Sequence, residues 1–537
     1  MAVCPCLKSE TWAHGMQFIS FARRYTSIME ARPSSAATLP CALFLLCLLS
    51  CFSAIAQAQG TAKSIPPKAA DEPSELAILS QQIQDLTTSV PPELAAYALL
   101  RLVEANAISQ PEQRRRLIEQ AYMLAGLSPY PVRMTTSGGA SDTRAGYLSQ
   151  ALTQGLDTLS LRTRAITAML KIDPERGRDL FQQLRPLSLA NRSCGDSMIY
   201  DPSAYYRSAG DVYKKGFSQE DQAKGLPEDF LESVFRDVNQ ASEVGPAADL
   251  LRTLQFDPEM LARAEGAFAR SLSGIRGDYR SYTATQGSLT RNVTRLAQAQ
   301  GRASHAMLEA TRAYVIANES GAICGDSTGT TSSTSSPNID SFATLNQVLA
   351  RYSIAPIGTA DVKPGSIIAI NTNSTQAYWQ SPTAQQLLAS VRALRSGDRS
   401  SSQWQESASS TFTSLREWID ASSEPSEEDF YIEKAVLYAQ MLSAVTPDSL
   451  FYEEALNEYI AFLSEEPPSD DVRIYWLWNI QNLVQRLRMN RSTADSARLK
   501  MESAIEDAPS PSIALYGYLL ALERVQRAAF GRGYTSR

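Results

Sequence analysis

The sequence predicts an all-α protein: an irregular α-solenoid, or helical-hairpin array, with one small strand-containing, Ser/Thr-rich segment in its middle. Two patterns indicate this fold. Proline followed by glutamate recurs between stretches whose apolar residues follow the 3.6-residue helical period. Proline suits the first helical position because its missing N–H would be unpaired there, and the next glutamate meets the positive end of the helix dipole. The five pairs are Pro92-Glu93, Pro111-Glu112, Pro174-Glu175, Pro227-Glu228 and Pro258-Glu259.

Residues 1–58 are predicted to be a signal region. The stretch 40–56 is apolar and carries no charge, and Ala56-Gln57-Ala58 at its end is a small-x-small cleavage signal. The run lies far from Met1, so translation from Met29 is the favoured start and a long leader from Met1 is the alternative. The sequence therefore predicts an exported protein, periplasmic or secreted, with no membrane span after cleavage.

A second processing route competes with this cleavage. Leu48-Leu49-Ser50-Cys51 resembles a bacterial lipobox, in which the cysteine is lipidated and becomes the new N-terminus. The apolar run continues past Cys51 to the better cleavage site, so the soluble product is favoured over a lipid anchor on Cys51.

Composition bounds both the domain organisation and the partners. The 537 residues exceed one ordinary domain, so two or three cores are expected. The chain after residue 58 has 46 Lys and Arg against 55 Asp and Glu, a net charge of −9. This balance argues against a nucleic-acid or anionic-membrane partner, both of which require a basic face. The cluster Arg114-Arg115-Arg116 is interpreted as a solvated helix face.

The N-terminal half is predicted to be built from helical hairpins. A flexible leader at 59–71 precedes a helical domain at 72–323. Asp173 and Asp257 each stand in a Leu-x-apolar-Asp-Pro-Glu segment, where one helix ends and the aspartate caps the next. Residues 145–170 form a helical stretch broken near Gly155, and 289–317 is predicted to be one long helix.

The remaining chain divides at a change of composition. Residues 324–415 are predicted to be a low-complexity linker, with the only convincing strand at 366–370. A C-terminal helical domain at 416–537 follows. Its five helices are predicted at 427–443, 448–463, 471–489, 493–508 and 512–530. Residues 427–530 are similar in a generic way to tetratricopeptide-type arrays, although no fixed period of about 34 residues recurs.

Two cysteines remain after cleavage at Ala58, and they are predicted to form a disulfide. Cys194 and Cys324 both begin a Cys-Gly-Asp-Ser segment, whose composition is that of a turn. Disulfides persist in the compartments to which exported proteins go. A metal site is not expected, because His305 is the only histidine left and a structural zinc requires four ligands. No cofactor is predicted.

One segment resembles the catalytic region of bacterial lytic transglycosylases. Asn318-Glu319-Ser320 ends a predicted helix, and that family pairs a catalytic Glu-Ser with a helical superhelix. The resemblance implies that Glu319 would act as an acid on a glycosidic oxygen. The family's downstream Gly-Leu-Met-Gln-type segment has no counterpart, so a solvated glutamate at the helix end is favoured. His305 has no adjacent nucleophile motif and is interpreted as a surface or packed residue.

These observations favour an exported, non-catalytic helical scaffold that binds a protein or a cell-envelope component. The alternative is a hydrolase or lyase of cell-wall glycan that uses an acidic residue. Aromatic residues in the C-terminal helices are interpreted as core, with a peptide or glycan groove as the second possibility. They are Tyr452, Tyr459, Phe462, Tyr475, Trp476, Trp478, Tyr516 and Tyr518.

Overall fold

A computed structural model describes residues 74–136, 143–300, 304–320, 323–325, 342–362, 367–369, 382–421, 427–445, 450–489 and 510–533. These residues belong to one compact unit and are predominantly helical. The predicted all-α class is confirmed. The signal region, including Cys51 and Ala58, and the helix predicted at 493–508 lie outside the described residues.

The helices, in chain order, are α1 Glu75–Leu86, α2 Pro92–Glu104, α3 Pro111–Ala125, α4 Arg144–Leu152, α5 Thr158–Met169, α6 Pro174–Gln182, α7 Ser203–Lys215, α8 Gln219–Ala223, α9 Leu226–Arg236, α10 Ala241–Thr253, α11 Pro258–Gly274, α12 Tyr279–Gln300, α13 His305–Glu319, α14 Ala343–Arg351, α15 Pro382–Ser396, α16 Ser402–Ala421, α17 Glu427–Ala444, α18 Leu450–Ser464, α19 Asp470–Met489 and α20 Pro511–Gly533. Four short strands accompany them: β1 Met134–Thr136, β2 Met198–Tyr200, β3 Ile323–Gly325 and β4 Ile367–Ala369.

The predicted helix-opening signals are confirmed. Each Pro-Glu pair lies in the first turn of a helix, namely α2, α3, α6, α9 or α11. The side chain of Asp173 accepts a hydrogen bond from the Arg176 N–H, and that of Asp257 accepts one from Met260. These carboxylates satisfy backbone donors that the first helical turn leaves unpaired. Gly155, at φ +68°, separates α4 from α5 as predicted.

Helices α7 to α13 form two layers of parallel neighbours. In the A layer, α10 lies against α12: Thr285 donates to the Ala241 carbonyl at 2.9 Å, and Arg252 donates to Asn292 at 2.8 Å. Residue numbers rise together along both helices, so the two run in the same direction. Helix α7 runs parallel to α10 on its other side, since Tyr206 bonds Glu243 and Gly210 packs on Leu250.

The B layer repeats this arrangement with α9, α11 and α13. Arg263 pairs with Asp229 at 2.7 Å, and Ser271 bonds the Phe235 carbonyl at 3.0 Å, which makes α9 and α11 parallel. Helices α9, α10 and α11 therefore each pack on the next helix but one in the chain, as stacked helical hairpins do. This packing is the α-solenoid that the hairpin signals predict.

The C-terminal helices pack back on the first ones. Helix α20 contacts α1 and α2, and α19 contacts α4. Glu93 on α2, fully buried, accepts a hydrogen bond from Arg473 on α19 at 2.8 Å. Tyr130 donates to the Asp471 carbonyl at 2.6 Å. The array is thus closed by polar contacts between its two ends. The proposed division at residues 323 and 416 stays a prediction.

Two predictions about elements are wrong. Strands are not confined to 366–370: β4 does lie there and pairs in parallel with β3, but β1 and β2 form a second, antiparallel sheet. Three-residue strands are too short to show alternation, so the sequence gives no signal for them. The helix predicted at 289–317 is two helices, α12 and α13. The signal missed was Ser304, whose hydroxyl accepts a hydrogen bond from Met307 N–H and caps α13.

Part of the predicted linker is helical. Helices α15 and α16 occupy 382–396 and 402–421. The Ser and Thr content of this segment predicts a linker, but its apolar residues form a helical stripe. Trp404, Phe412 and Leu415 are buried on one face of α16. Their spacing of eight and three residues is that of one helical face. In the described ranges, no helix is long and apolar enough to cross a membrane.

Candidate functional site

The exposed side of the A layer carries an open groove of about 650 Å³ between α7, α10 and α12. We call it the A-layer groove. Its floor is formed where the three helices approach closely. Gly210 allows α7 to contact Leu250, since a Cβ at Gly210 would lie 2.9 Å from its Cδ1. A Cβ at Gly245 would lie 2.1 Å from the Ser288 Oγ, so glycine lets α10 and α12 approach without moving this hydroxyl group.

Besides Arg252 of α10, which is paired with Asp249, four basic side chains line the groove from two of the helices. They are Arg207 and Lys214 on α7, and Arg291 and Arg295 on α12. All four are exposed. None of them has a hydrogen-bonding or ion-pair partner within the part of the chain that the structure describes. The groove therefore carries unneutralised positive charge in a protein whose net charge is −7.

The acidic groups of the groove, by contrast, already have partners. Asp249 pairs with Arg252 at 2.7 Å, and Asp211 pairs with Lys215 at 3.5 Å. Asp201 lies 3.7 Å from the Arg133 guanidinium. Because the carboxylates are paired, the four unpaired cations dominate the electrostatic potential in the groove. Such a surface attracts anions.

The position of the cations on their helices separates two roles. Lys214 lies in the last turn of α7, where a cation is stabilised by the negative end of the helix dipole. Arg207 lies in the first half of α7, and Arg291 and Arg295 lie away from the end of α12. The helix dipole does not account for these three arginines. They are the candidate ligand-binding residues.

A buried acid supports one edge of the groove. The Oε1 atom of Glu243 accepts hydrogen bonds from the N–H groups of Asn239 and Gln240, at 3.2 and 3.1 Å. Its Oε2 accepts a 2.8 Å hydrogen bond from Tyr206, a groove-lining residue. Burial raises the pKa of Glu243 to about 7, against the lowering effect of these hydrogen bonds. Glu243 thus joins α7 to the start of α10.

Glu319 is not the solvated helix-end residue that was favoured. Its side chain is buried, and Tyr282 donates a 2.8 Å hydrogen bond to its Oε1. Burial raises its pKa, and the hydrogen bond from Tyr282 offsets this in part. Glu319 is buried because α12 packs against α13, and the sequence alone does not show this contact.

Other residues singled out in the sequence have structural surroundings. His305 is exposed at the start of α13, 3.4 Å from Glu309. Arg115 is exposed and pairs with Asp173 at 3.1 Å, as a solvated helix face should. In the C-terminal helices, the rings of Tyr459 and Phe462 stack at 6.5 Å and are buried. The aromatic side chains there pack in the core or, as Trp478 and Tyr518 do, against it, which agrees with their interpretation as core residues.

Cys194 is disulfide-bonded. The backbone of Cys324 lies in β3, while its side chain lies outside the described residues. The pairing of these two sulfurs therefore stays a prediction. Within the described ranges, no group of three or more His, Cys, Asp or Glu side chains is placed to hold a metal ion.

Comparison with known proteins adds no family. No family model matches the chain, and no curated protein matches it. A crystal structure of an engineered protein covers 84% of this chain and 96% of its own, with 11% sequence identity and a TM-score of 0.15.

Proposed function

We propose that this protein is an exported, non-catalytic helical scaffold that binds an anionic component of the cell envelope in the A-layer groove. The observation that carries the proposal is the set of four unpaired cations along a groove that crosses three parallel helices. Export is supported by the uncharged apolar run at 40–56 and the Ala56-Gln57-Ala58 signal behind it.

The shape of the groove favours binding over catalysis. It is open and wide, and its charge is distributed over helices rather than concentrated at one reacting point. Catalysis requires groups held at a position where charge develops. A scaffold requires only a complementary surface, and stacked helices provide such surfaces.

The test is co-sedimentation of the mature protein with insoluble envelope material from its native cell. We expect binding at low salt that weakens as salt rises, because the contacts are ionic. Replacing Arg207, Arg291 and Arg295 together by Gln should reduce the bound fraction at least tenfold. Wild-type binding by that variant would refute the proposal.

Glycan hydrolysis or cleavage remains the second candidate, and the surroundings of Glu319 favour it. A general acid must hold its proton near neutral pH, and burial raises the pKa of this carboxyl. The test is release of soluble fragments from purified cell-wall glycan, with Glu319→Gln and Tyr282→Phe variants beside the wild type. Release by the wild type that Glu319→Gln abolishes would favour the enzyme. No release under conditions that preserve binding would favour the scaffold.

A further inference from the structure

We infer that the ligand of the A-layer groove is an acidic polysaccharide, a linear glycan that carries carboxylate or phosphate groups. This inference rests on the proposed function, because it names the chemistry of the ligand at the same site. It is argued from the spacing of the cations, from the chemistry of arginine and from the side chains between them.

The spacing of the cations indicates a polymer. Arg207 and Lys214 are seven residues apart on α7, which is about 10 Å along the helix axis. Arg291 and Arg295 are separated by one turn, about 6 Å, on α12. Helices α7 and α12 lie on either side of α10, and packed helix axes are about 8–10 Å apart, so the two pairs are spread over more than one helix width. A chain with repeated charges can contact them in succession.

The kind of cation indicates the kind of anion. Three of the four are arginines, whose planar guanidinium donates two parallel hydrogen bonds to a carboxylate or a phosphate. Because the guanidiniums are exposed and unpaired, their donors are available to a ligand. Oxyanions are therefore the groups that this groove would hold most tightly.

The side chains between the cations favour a glycan over a peptide. Peptides are anchored chiefly by apolar side chains that enter pockets. Leu250, Leu254 and Ile199 are buried in the groove, and the partly exposed ring of Tyr200 is already covered by the Arg192 guanidinium, 4.8 Å from its centroid. Hydroxyl groups line it instead, including those of Ser203, Thr253 and Ser288. A sugar unit matches them with hydroxyl groups of its own.

The carboxylates of the groove support the same choice. Asp201 and Asp249 lie among the cations, where they would repel a ligand that has no neutral polar groups between its negative charges. A glycan presents neutral hydroxyls between its charges, and those hydroxyls can donate to carboxylate oxygens. An acidic polysaccharide thus fits both signs of charge in the groove.

The experiment measures binding of the mature protein to polygalacturonate, to phosphomannan and to poly-L-glutamate by isothermal titration calorimetry. Methyl-esterified polygalacturonate keeps the polymer and removes its charge. We expect binding to polygalacturonate or phosphomannan, at least tenfold weaker binding to poly-L-glutamate, and none to the ester. The Arg207→Gln/Arg291→Gln/Arg295→Gln variant should bind at least tenfold more weakly than the wild type.

The matched control carries the same change in net charge elsewhere. Arg116, Arg351 and Arg399 are exposed, lie outside the groove, and have no ion-pair partner among the described residues. The variant with all three replaced by Gln should bind as the wild type does. If the groove variant does not unfold cooperatively, Arg291→Gln alone replaces it, with Arg116→Gln as its control.

Three outcomes would overturn the inference. Poly-L-glutamate could bind as tightly as the glycans, the matched control could lose binding as much as the groove variant, or neither acidic glycan could bind. If neither glycan binds while envelope co-sedimentation still depends on Arg207, Arg291 and Arg295, the ligand class is wrong and the proposed function stands. If co-sedimentation does not depend on them, the proposed function fails as well.

Discussion

Glu243 gives the fold a stability that falls as the pH rises. Its pKa is about 7 in the folded protein and 4.5 in an ordinary exposed setting. Between these values the folded protein holds a proton that the unfolded chain has lost. Stability therefore decreases with pH across this window and is constant above it. The difference between the two pKa values corresponds to roughly 3 kcal/mol.

Glu243→Gln isolates this effect. The amide oxygen of the variant can still accept from Asn239 and Gln240, and its NH2 group can donate to the Tyr206 oxygen. The new side chain carries no charge at any pH. We compare the free energy of unfolding of the variant with that of the wild type at each pH. The variant's value minus the wild-type value should rise by roughly 3 kcal/mol from pH 4 to pH 8.5.

The assay is urea unfolding followed by circular dichroism at pH 4, 5.5, 7 and 8.5, with the free energy of unfolding compared between variants. Glu259→Gln, at an exposed first-turn glutamate of α11, is the control for replacing a carboxylate by an amide. Tyr206→Phe removes a hydrogen bond that lowers the pKa of Glu243, so it should move the window to higher pH. A difference between Glu243→Gln and the wild type that is constant within about 0.5 kcal/mol from pH 4 to 8.5 would refute the reasoning.

Three further predictions concern closure, the cross-link and processing. Arg473→Met should destabilise the protein by roughly 2–4 kcal/mol in urea unfolding, because it leaves the Glu93 carboxylate buried without its partner; Glu93→Gln in the same chain should recover much of the loss, and additive losses would contradict this. Cys194 and Cys324 should pair, so thiol titration of the denatured, unreduced mature protein should find no free sulfhydryl, whereas two would exclude the bond; reduction should cost at most about 5 kcal/mol. Sequencing of the exported protein should begin within 57–60, and a lipidated Cys51 would contradict this.

Local signals in the sequence predicted the helices well, because caps and turns act over a few residues. The carboxylates of Asp173 and Asp257 satisfy N–H groups three residues away, so their effect is legible in the chain itself. Ser304 caps α13 in the same way, but no Pro-Glu pair follows it, so the Pro-Glu pattern does not mark this helix start. The sheet of β1 and β2 joins residues more than 60 apart, and only tertiary structure brings them together.

The candidate site could not be predicted in the same way. Its cations come from two helices separated by more than 60 residues, and each helix taken alone resembles a solvated face. The one local signal was the pair Arg291 and Arg295, which lie one turn apart on α12. The most compact basic cluster in the sequence is Arg114-Arg115-Arg116, but Arg115 is neutralised by Asp173 across a helix junction. The negative net charge argues against anionic partners, but it sums the charges of the whole chain. It does not show that unpaired cations are concentrated on one surface.

The unpaired cations are themselves an argument for binding. Two like charges one turn apart on a helix destabilise it by a few tenths of a kcal/mol, and Arg291 and Arg295 are such a pair. Several arginines elsewhere do have acidic partners: Arg263 contacts two carboxylates, and Arg178 pairs with Asp221 at 2.9 Å. Acidic residues outnumber basic ones, so partners for the groove arginines were available to the sequence. Charged side chains that are left without partners and do not stabilise the fold are expected at functional sites. The A-layer groove has such side chains on both of the helices that flank α10.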